Sequence, residues 1–332
     1  MSDPARLNRS WQSPRSLAWL VLGIAISIIG VGWIVRAIDP RRFALALAAI
    51  DWIWIGGAIV VTLVTYWARG QRWIVLLRPL TFRHSAVLRA LLTGQLLNHL
   101  LPIRVGDVVR SIMLGREPWG SFARVFGSVL IEKAWDWLAL CVLVLIIAWA
   151  APLPEWFLIP ARTIGGLAAL IVMGFVAVAI IPEQWIPRGL ARLDRALAQL
   201  PARWRFFALN NVQRFLDSLT VLRRRDTVVG AASWTAVTWG LSIVINYAVL
   251  RAFGYASWIA ALTLLVVLML GVALPPSIAA VGVFEGLSML TLSLFGISPE
   301  IALAVGLMLH LVVLVPLIIT TIILWFLPFR KS

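Results

Sequence analysis

The stretch LLVVLMLGVALPPSIAAVGVFEGLSML, Leu264–Leu290, decides how this chain is read. It sits in a run of 33 residues, Ala252 to Phe284, that contains no charged side chain. As one helix that run would be about 50 Å long, well beyond a hydrocarbon core of roughly 30 Å. Pro275-Pro276 breaks it, because proline removes a helical N–H donor and clashes with the preceding turn. The stretch is therefore neither a buried helix of a soluble domain nor one ordinary membrane crossing.

The composition of the whole chain agrees. Of 332 residues, 61% are hydrophobic and 13% charged, with a mean hydropathy of +0.95. Soluble domains carry roughly 45–50% apolar and about 25% charged residues. The surplus of apolar side chains excludes a soluble enzyme, a secreted module and a disordered chain, and leaves an integral membrane protein. The net charge of +15 does not indicate nucleic acid. Nearly all of the arginines lie between apolar runs, where membrane topology needs them, and no nucleic-acid-binding motif accompanies them. Cys141 is the single cysteine, so no disulfide forms within the chain. Leu17–Val35 is too long for the apolar part of a signal peptide and no A-x-A site follows, so it reads as a retained anchor.

Runs long enough to cross the bilayer fall at 17–36, 51–68, 125–150, 162–182, 227–250 and 300–327. Two stretches do not fit simple crossings: 85–115, broken at Leu101-Pro102, and 252–296, broken at Pro275-Pro276. If both are re-entrant hairpins, the N-terminus, 69–89, 104–124, 183–226 and the Arg330-Lys331 tail all lie in the cytoplasm, as the positive-inside tendency requires. The expected fold is thus all-α: six full transmembrane helices plus two broken re-entrant hairpins in a single integral membrane domain, 1–332. Both termini are expected in the cytoplasm and the protein in the inner (cytoplasmic) membrane. The segment 183–226 reads as an amphipathic connector, with Leu190, Leu193 and Leu197 opposite Arg188, Arg192 and Arg195. It either grips anionic lipid or is a solvated connector packed on the membrane.

The two broken stretches resemble each other. LLTGQLLNHLLPIRVGDVVRSIML (91–114) and 264–290 share an apolar run, Leu-Pro, a short linker, a glycine (Gly106, Gly282) and a following charge (Arg110, Glu285). In the topology above they have opposite orientations, giving repeat units at 51–150 and 227–327. Inverted repeats with broken helices place transporter binding sites near the midplane. Pro102, Gly106, Pro275, Pro276 and Gly282 are the break positions. Past each break a new helix offers free N–H groups and its positive dipole end, and the first adds Arg104 and Arg110, whose planar forks suit phosphate oxygens.

Three motifs in order, NHLLPIRVGDVVR (Asn98–Arg110), SVLIEKAWD (Ser128–Asp136) and LPPSIAAVGVFE (Leu274–Glu285), resemble the flippase-like membrane domain of the lysylphosphatidylglycerol synthases. The resemblance covers essentially the whole chain. It implies a multi-pass domain that moves a lipid with a polar headgroup between leaflets. In the synthases a separate soluble domain attaches lysine to phosphatidylglycerol; the chain reaches only Ser332, so that domain is expected to be missing.

Charged groups inside spans are costly and usually functional. Glu132 and Asp136 share a helix face, with Lys133 turned aside. Together with Arg104, Asp107, Arg110 and Glu285 they form an acid–base set. Two readings stand. In one, arginines hold a lipid phosphate while carboxylates hold the arginines in the empty state or carry protons; in the other, the charges are structural salt bridges. Asn98 completes the candidate substrate-binding set. His310, alone in the last span, reads as a hydrogen-bond partner or a proton relay. No catalytic triad, P-loop or metal-ligating cluster is apparent, so the chain is expected to be no enzyme and to carry no cofactor or metal. Its expected function is translocation of an anionic lipid, a phospholipid or a polyprenyl phosphate. The alternative is a membrane component of a glycosyl or aminoacyl transferase, or the partner of one.

Overall fold

The computed structural model describes residues 38–101, 105–118, 120–150, 185–198, 201–271 and 282–326, with a few isolated positions beyond them. All regular structure among these residues is helical. The helices are α1 (Pro40–Ala48), α2 (Trp52–Leu76), α3 (His84–Leu100), α4 (Gly106–Gly115), α5 (Phe122–Ala150), α6 (Trp185–Ala196), α7 (Ala202–Leu219), α8 (Arg225–Ala252), α9 (Trp258–Gly271), α10 (Val283–Ser293) and α11 (Pro299–Phe326).

Helices α2, α8 and α11 are long and apolar enough to cross a membrane. Helix α5 is 29 residues long and carries Glu132, Lys133 and Asp136. Large apolar side chains such as Ile53, Leu145, Trp149 and Phe326 stand exposed on these helices. In water such faces would aggregate; in lipid they are the expected outer surface. The spans expected at 17–36 and 162–182 lie outside the described residues, apart from isolated positions.

One boundary differs from expectation. The sequence places the end of the second span at residue 68, where Arg69 and Arg72 begin a basic segment. Helix α2 instead continues to Leu76, carrying Arg72 into the interior. An arginine ends a span only if its charge has nowhere to go, and the partners of Arg72, described below, remove that condition. Before α2, the short helix α1 begins with Pro40 at its first turn, where a missing N–H costs nothing. Asp39 caps it by accepting from the N–H groups of Arg41 (2.8 Å) and Arg42 (3.4 Å).

The chain divides into two compact units. One contains residues 1–63, 95–106 and 242–320. Its core gathers Ile55, Ala58, Leu250, Leu264, Leu292, Val305 and Leu309. Close approach there depends on small residues: a Cβ at Gly306 would lie 2.7 Å from Ser288 Oγ and 2.8 Å from Ser288 Cβ. The other unit contains residues 64–94, 107–241 and 321–332. Its core is built around Trp73, Leu76, Leu91, Leu114, Val125, Ile131 and Ala231.

The connector breaks at Pro201, as its sequence implies, into α6 and α7. A two-pronged pair, Arg205 Nε to Asp194 Oδ1 (2.5 Å) and Nη2 to Oδ2 (3.0 Å), ties these two helices together. Phe215 and Leu216 of α7 pack on the core of the second unit, and Arg124 of α5 meets Asp217 at 3.2 Å.

Candidate functional site

Ending one helix and starting another frees backbone groups that need partners. At the first break one is accounted for: Asn98 Oδ1, near the end of α3, accepts from the Gly106 N–H that opens α4, at 2.8 Å. Pro102 and Arg104 lie outside the described residues, as do Pro275 and Pro276 of the second break.

Beyond Gly106 the second unit holds a buried chain of charges. Glu132 is its centre: Arg72 Nη2 donates to Oε1 at 2.9 Å and Arg110 Nη1 donates to Oε2 at 2.8 Å. All three side chains are at most 4% exposed. Arg72 also forks onto Asp136, Nη1 to Oδ1 at 2.6 Å and Nη2 to Oδ2 at 3.2 Å. Arg110 reaches back one turn to Asp107 at 2.9 Å, and Asp107 in turn meets Lys133 Nζ at 3.5 Å. Arg72, Arg110 and Lys133 thus balance Asp107, Glu132 and Asp136 in formal charge.

Local sequence explains each position. Glu132 and Asp136 are four residues apart and so share a face of α5; Asp107 and Arg110, three apart, share a face of α4. Two tryptophans hold the set in place. Trp239 Nε1 donates to Asp136 Oδ1 at 3.2 Å, and the Trp73 ring lies 4.8 Å beneath the Arg110 guanidinium. Trp73 is fixed by its own donation to Ser128 Oγ at 3.0 Å. A cation over an indole face gains electrostatic attraction that grows as water is removed.

A lone charge buried this completely would be costly, and pairing makes it tolerable. The set is not saturated: Nε of Arg72 and Nε of Arg110 are buried and find no hydrogen-bond partner among the described residues. Each arginine therefore retains one donor directed at no acceptor among them.

Of the residues singled out in the sequence, Asp107, Arg110, Glu132 and Asp136 come together here. Lys133, expected to turn aside, joins them through Asp107. Arg72 escapes a reading of the sequence, where it stands among the basic residues of a loop. The signal is present in the apolar WIVLL (Trp73–Leu77) that follows it, which continues the helix past the charge.

Glu285 belongs to the other unit, where its partners are different. Gly282 has φ +85°, a left-handed conformation that favours glycine, and α10 starts immediately after it. Glu285, in the first turn, folds back so that Oε2 accepts from the Gly282 N–H at 2.7 Å. Its Oε1 lies 3.1 Å from Nδ1 of His310 on α11.

These features define a multi-pass helical membrane protein with buried, paired charges next to a helix break. A sequence model of the lysylphosphatidylglycerol synthase TM region matches residues 20–320, and the chain belongs to that family. It is also similar to the glycosyltransferase AglD of Haloferax volcanii, 24% identical over 160 residues. That match covers 48% of this chain and 22% of the relative. No solved structure matches the chain.

Proposed function

We propose that this chain moves a phosphate-bearing lipid, a phospholipid or a polyprenyl phosphate, between the leaflets of the cytoplasmic membrane. The observation that carries the reading is the Arg72–Glu132–Arg110 chain, buried inside the transmembrane region of a family related to lipid modification. Charges are kept in such places at a cost, and intramembrane ionisable groups mark substrate pathways. In this reading Arg110, together with Arg104, takes the lipid phosphate. Asp107 and Glu132 hold Arg110 while no lipid is bound, and release it to a phosphate oxygen. Six crossings and two re-entrant hairpins of opposite orientation, with both termini in the cytoplasm, would place these residues along the path of the headgroup while the chains remain in lipid.

A second reading follows from the similarity to a glycosyltransferase: the chain serves as a membrane component of a transferase acting on lipid-linked substrates. One experiment addresses both. The purified protein is placed in liposomes with headgroup-labelled phosphatidylglycerol or a labelled polyprenyl phosphate, and inward movement is read by quenching of the outer leaflet. Movement of either lipid is expected above protein-free liposomes. Charge-assisted hydrogen bonds contribute about 1.5–3 kcal/mol each, so Arg104→Ala and Arg110→Ala should slow movement roughly tenfold or more. Lysine at either position should restore it only in part, for want of the fork. Arg223→Ala, in the connector, serves as the control. No movement of either lipid by well-folded protein, with sugar transfer to the polyprenyl phosphate once a nucleotide sugar is added, would replace the first reading by the second.

A further inference from the structure

We propose that Glu285 and His310 form a proton-binding site inside the membrane, with the proton taken up at His310 Nε2 and balanced by the Glu285 carboxylate.

The site stands on geometry. His310 is the twelfth residue of α11, a 28-residue helix apolar enough to span, which puts it about 16 Å along the helix from Pro299. The Glu285 side chain is 9% exposed and that of His310 12%. Burying a carboxylate in apolar surroundings is expensive unless it is paired and hydrogen-bonded. Here one oxygen accepts from the Gly282 N–H at 2.7 Å and the other faces His310 Nδ1 at 3.1 Å. With Glu285 as a carboxylate, Nδ1 carries the hydrogen between them, since two acceptors would repel at that distance. A neutral imidazole with its hydrogen on Nδ1 has its lone pair on Nε2. Nε2 is therefore the atom that accepts a proton, and the resulting imidazolium is already matched by its counter-charge.

Among the described residues, the helices packed on this pair carry few titratable side chains. Helix α9, packed on α10, carries no titratable side chain, and α10 carries only Glu285. Helix α11 adds Glu300, ten residues from His310 and so about 15 Å along the helix. The other titratable side chains among the described residues of this unit are Asp39, Arg41, Arg42, Asp51 and Tyr255, together with Tyr247, Arg251 and His99. Tyr247 stacks on Trp258 with ring centroids 3.8 Å apart, Arg251 lies 6.0 Å over Trp54, and His99 Nδ1 is 2.9 Å from Gln95 O. The pair is held in place from both sides. Ser288 Oγ donates to Phe284 O at 2.8 Å one turn along α10, and Gly306 leaves α11 close enough for contact at Ser288. The Phe284 ring, 5.0 Å from the imidazole, covers the site. A proton is thus the ligand this site suits. Only its role as the driving ion of lipid movement rests on the transport reading above.

The test uses the full chain in liposomes with nitrogen-15-labelled histidine, observed by solid-state NMR from pH 4 to pH 9. The chain has three histidines, His84, His99 and His310, and His310→Gln identifies the signal by removing it. The expected result is a His310 that titrates within this range and whose neutral form carries its hydrogen on Nδ1. Glu285→Leu should abolish that tautomer preference, while Glu285→Asp, should Glu285→Leu fail to fold, should retain it. A His310 that does not titrate, or whose neutral form carries its hydrogen on Nε2, would overturn the proposal. In parallel, an imposed pH gradient should accelerate labelled-lipid movement at least threefold in the wild type and not in His310→Gln. Titration without any lipid movement would leave the proton site standing and remove the transport reading. Lipid movement with a silent His310 would do the reverse.

Discussion

Arg72 Nη1 lies 2.6 Å from Asp136 Oδ1, joining two residues 64 positions apart in the chain. The same guanidinium also holds Glu132, so one arginine near the end of α2 serves both carboxylates on the inward face of α5. Removing it would leave two carboxylates with Arg110 as their only close arginine among the described residues.

Arg72→Met keeps an unbranched apolar stem and deletes the charge. Breaking a buried pair by removing one partner costs about 3–5 kcal/mol, because the other charge stays buried. The variant should melt well below wild type in detergent. Arg72→Met combined with Glu132→Gln should lose less than the sum of the two single changes, since the orphaned anion is then neutral. Wild-type melting of Arg72→Met would show that Glu132 and Asp136 are not held by Arg72.

Asn98→Ala removes the acceptor for the Gly106 N–H. Losing a helix cap costs about 1 kcal/mol, up to roughly 2. Asn98→Ser and Asn98→Asp retain an oxygen and should keep more of the stability. A thermal-unfolding series across the three variants checks the order; a ranking with Ala above Ser would argue that the cap contributes nothing.

Gly306→Ala would force a methyl group within 2.7 Å of Ser288 Oγ and 3.4 Å of Glu285 Cα. Overpacking of this kind costs about 1–3 kcal/mol. It should also separate α10 from α11 and so weaken the approach of Glu285 to His310. Adding Ser288→Gly should recover most of the loss by clearing the contacted atoms. Equal melting of Gly306→Ala and wild type would mean that α11 yields at that point.

Cys141→Ser supplies a background for single-cysteine labelling in intact cells. Cysteines placed at Arg192 and Lys331 should react only after the membrane is opened, and one at Pro154 should react from outside. Labelling at Lys331 from outside would rule out an arrangement with two re-entrant hairpins and a cytoplasmic C-terminus.

By itself the sequence determined the solvent and the class of element. A 33-residue uncharged run, the surplus of apolar side chains and the placement of arginines between runs admit only helices in a membrane, because lipid offers no partner to unpaired backbone groups. It also placed Leu101-Pro102 directly after Leu100, where α3 ends; proline alone does not dictate such a stop, since α11 runs through Pro316. The spacing of Glu132 and Asp136 alone puts two carboxylates on one helix face. Only the tertiary structure decided which cations meet them. In the sequence Arg72 looks like the start of a loop, because a sequence shows a charge without its counter-charge, and its partners lie 60 and 64 residues away on another helix. The same is true of Glu285, whose pairing with His310 spans 25 residues and two helices. Periodicity along one helix fixes which residues share a face; which faces neutralise one another depends on packing between helices, and that is written in no local pattern.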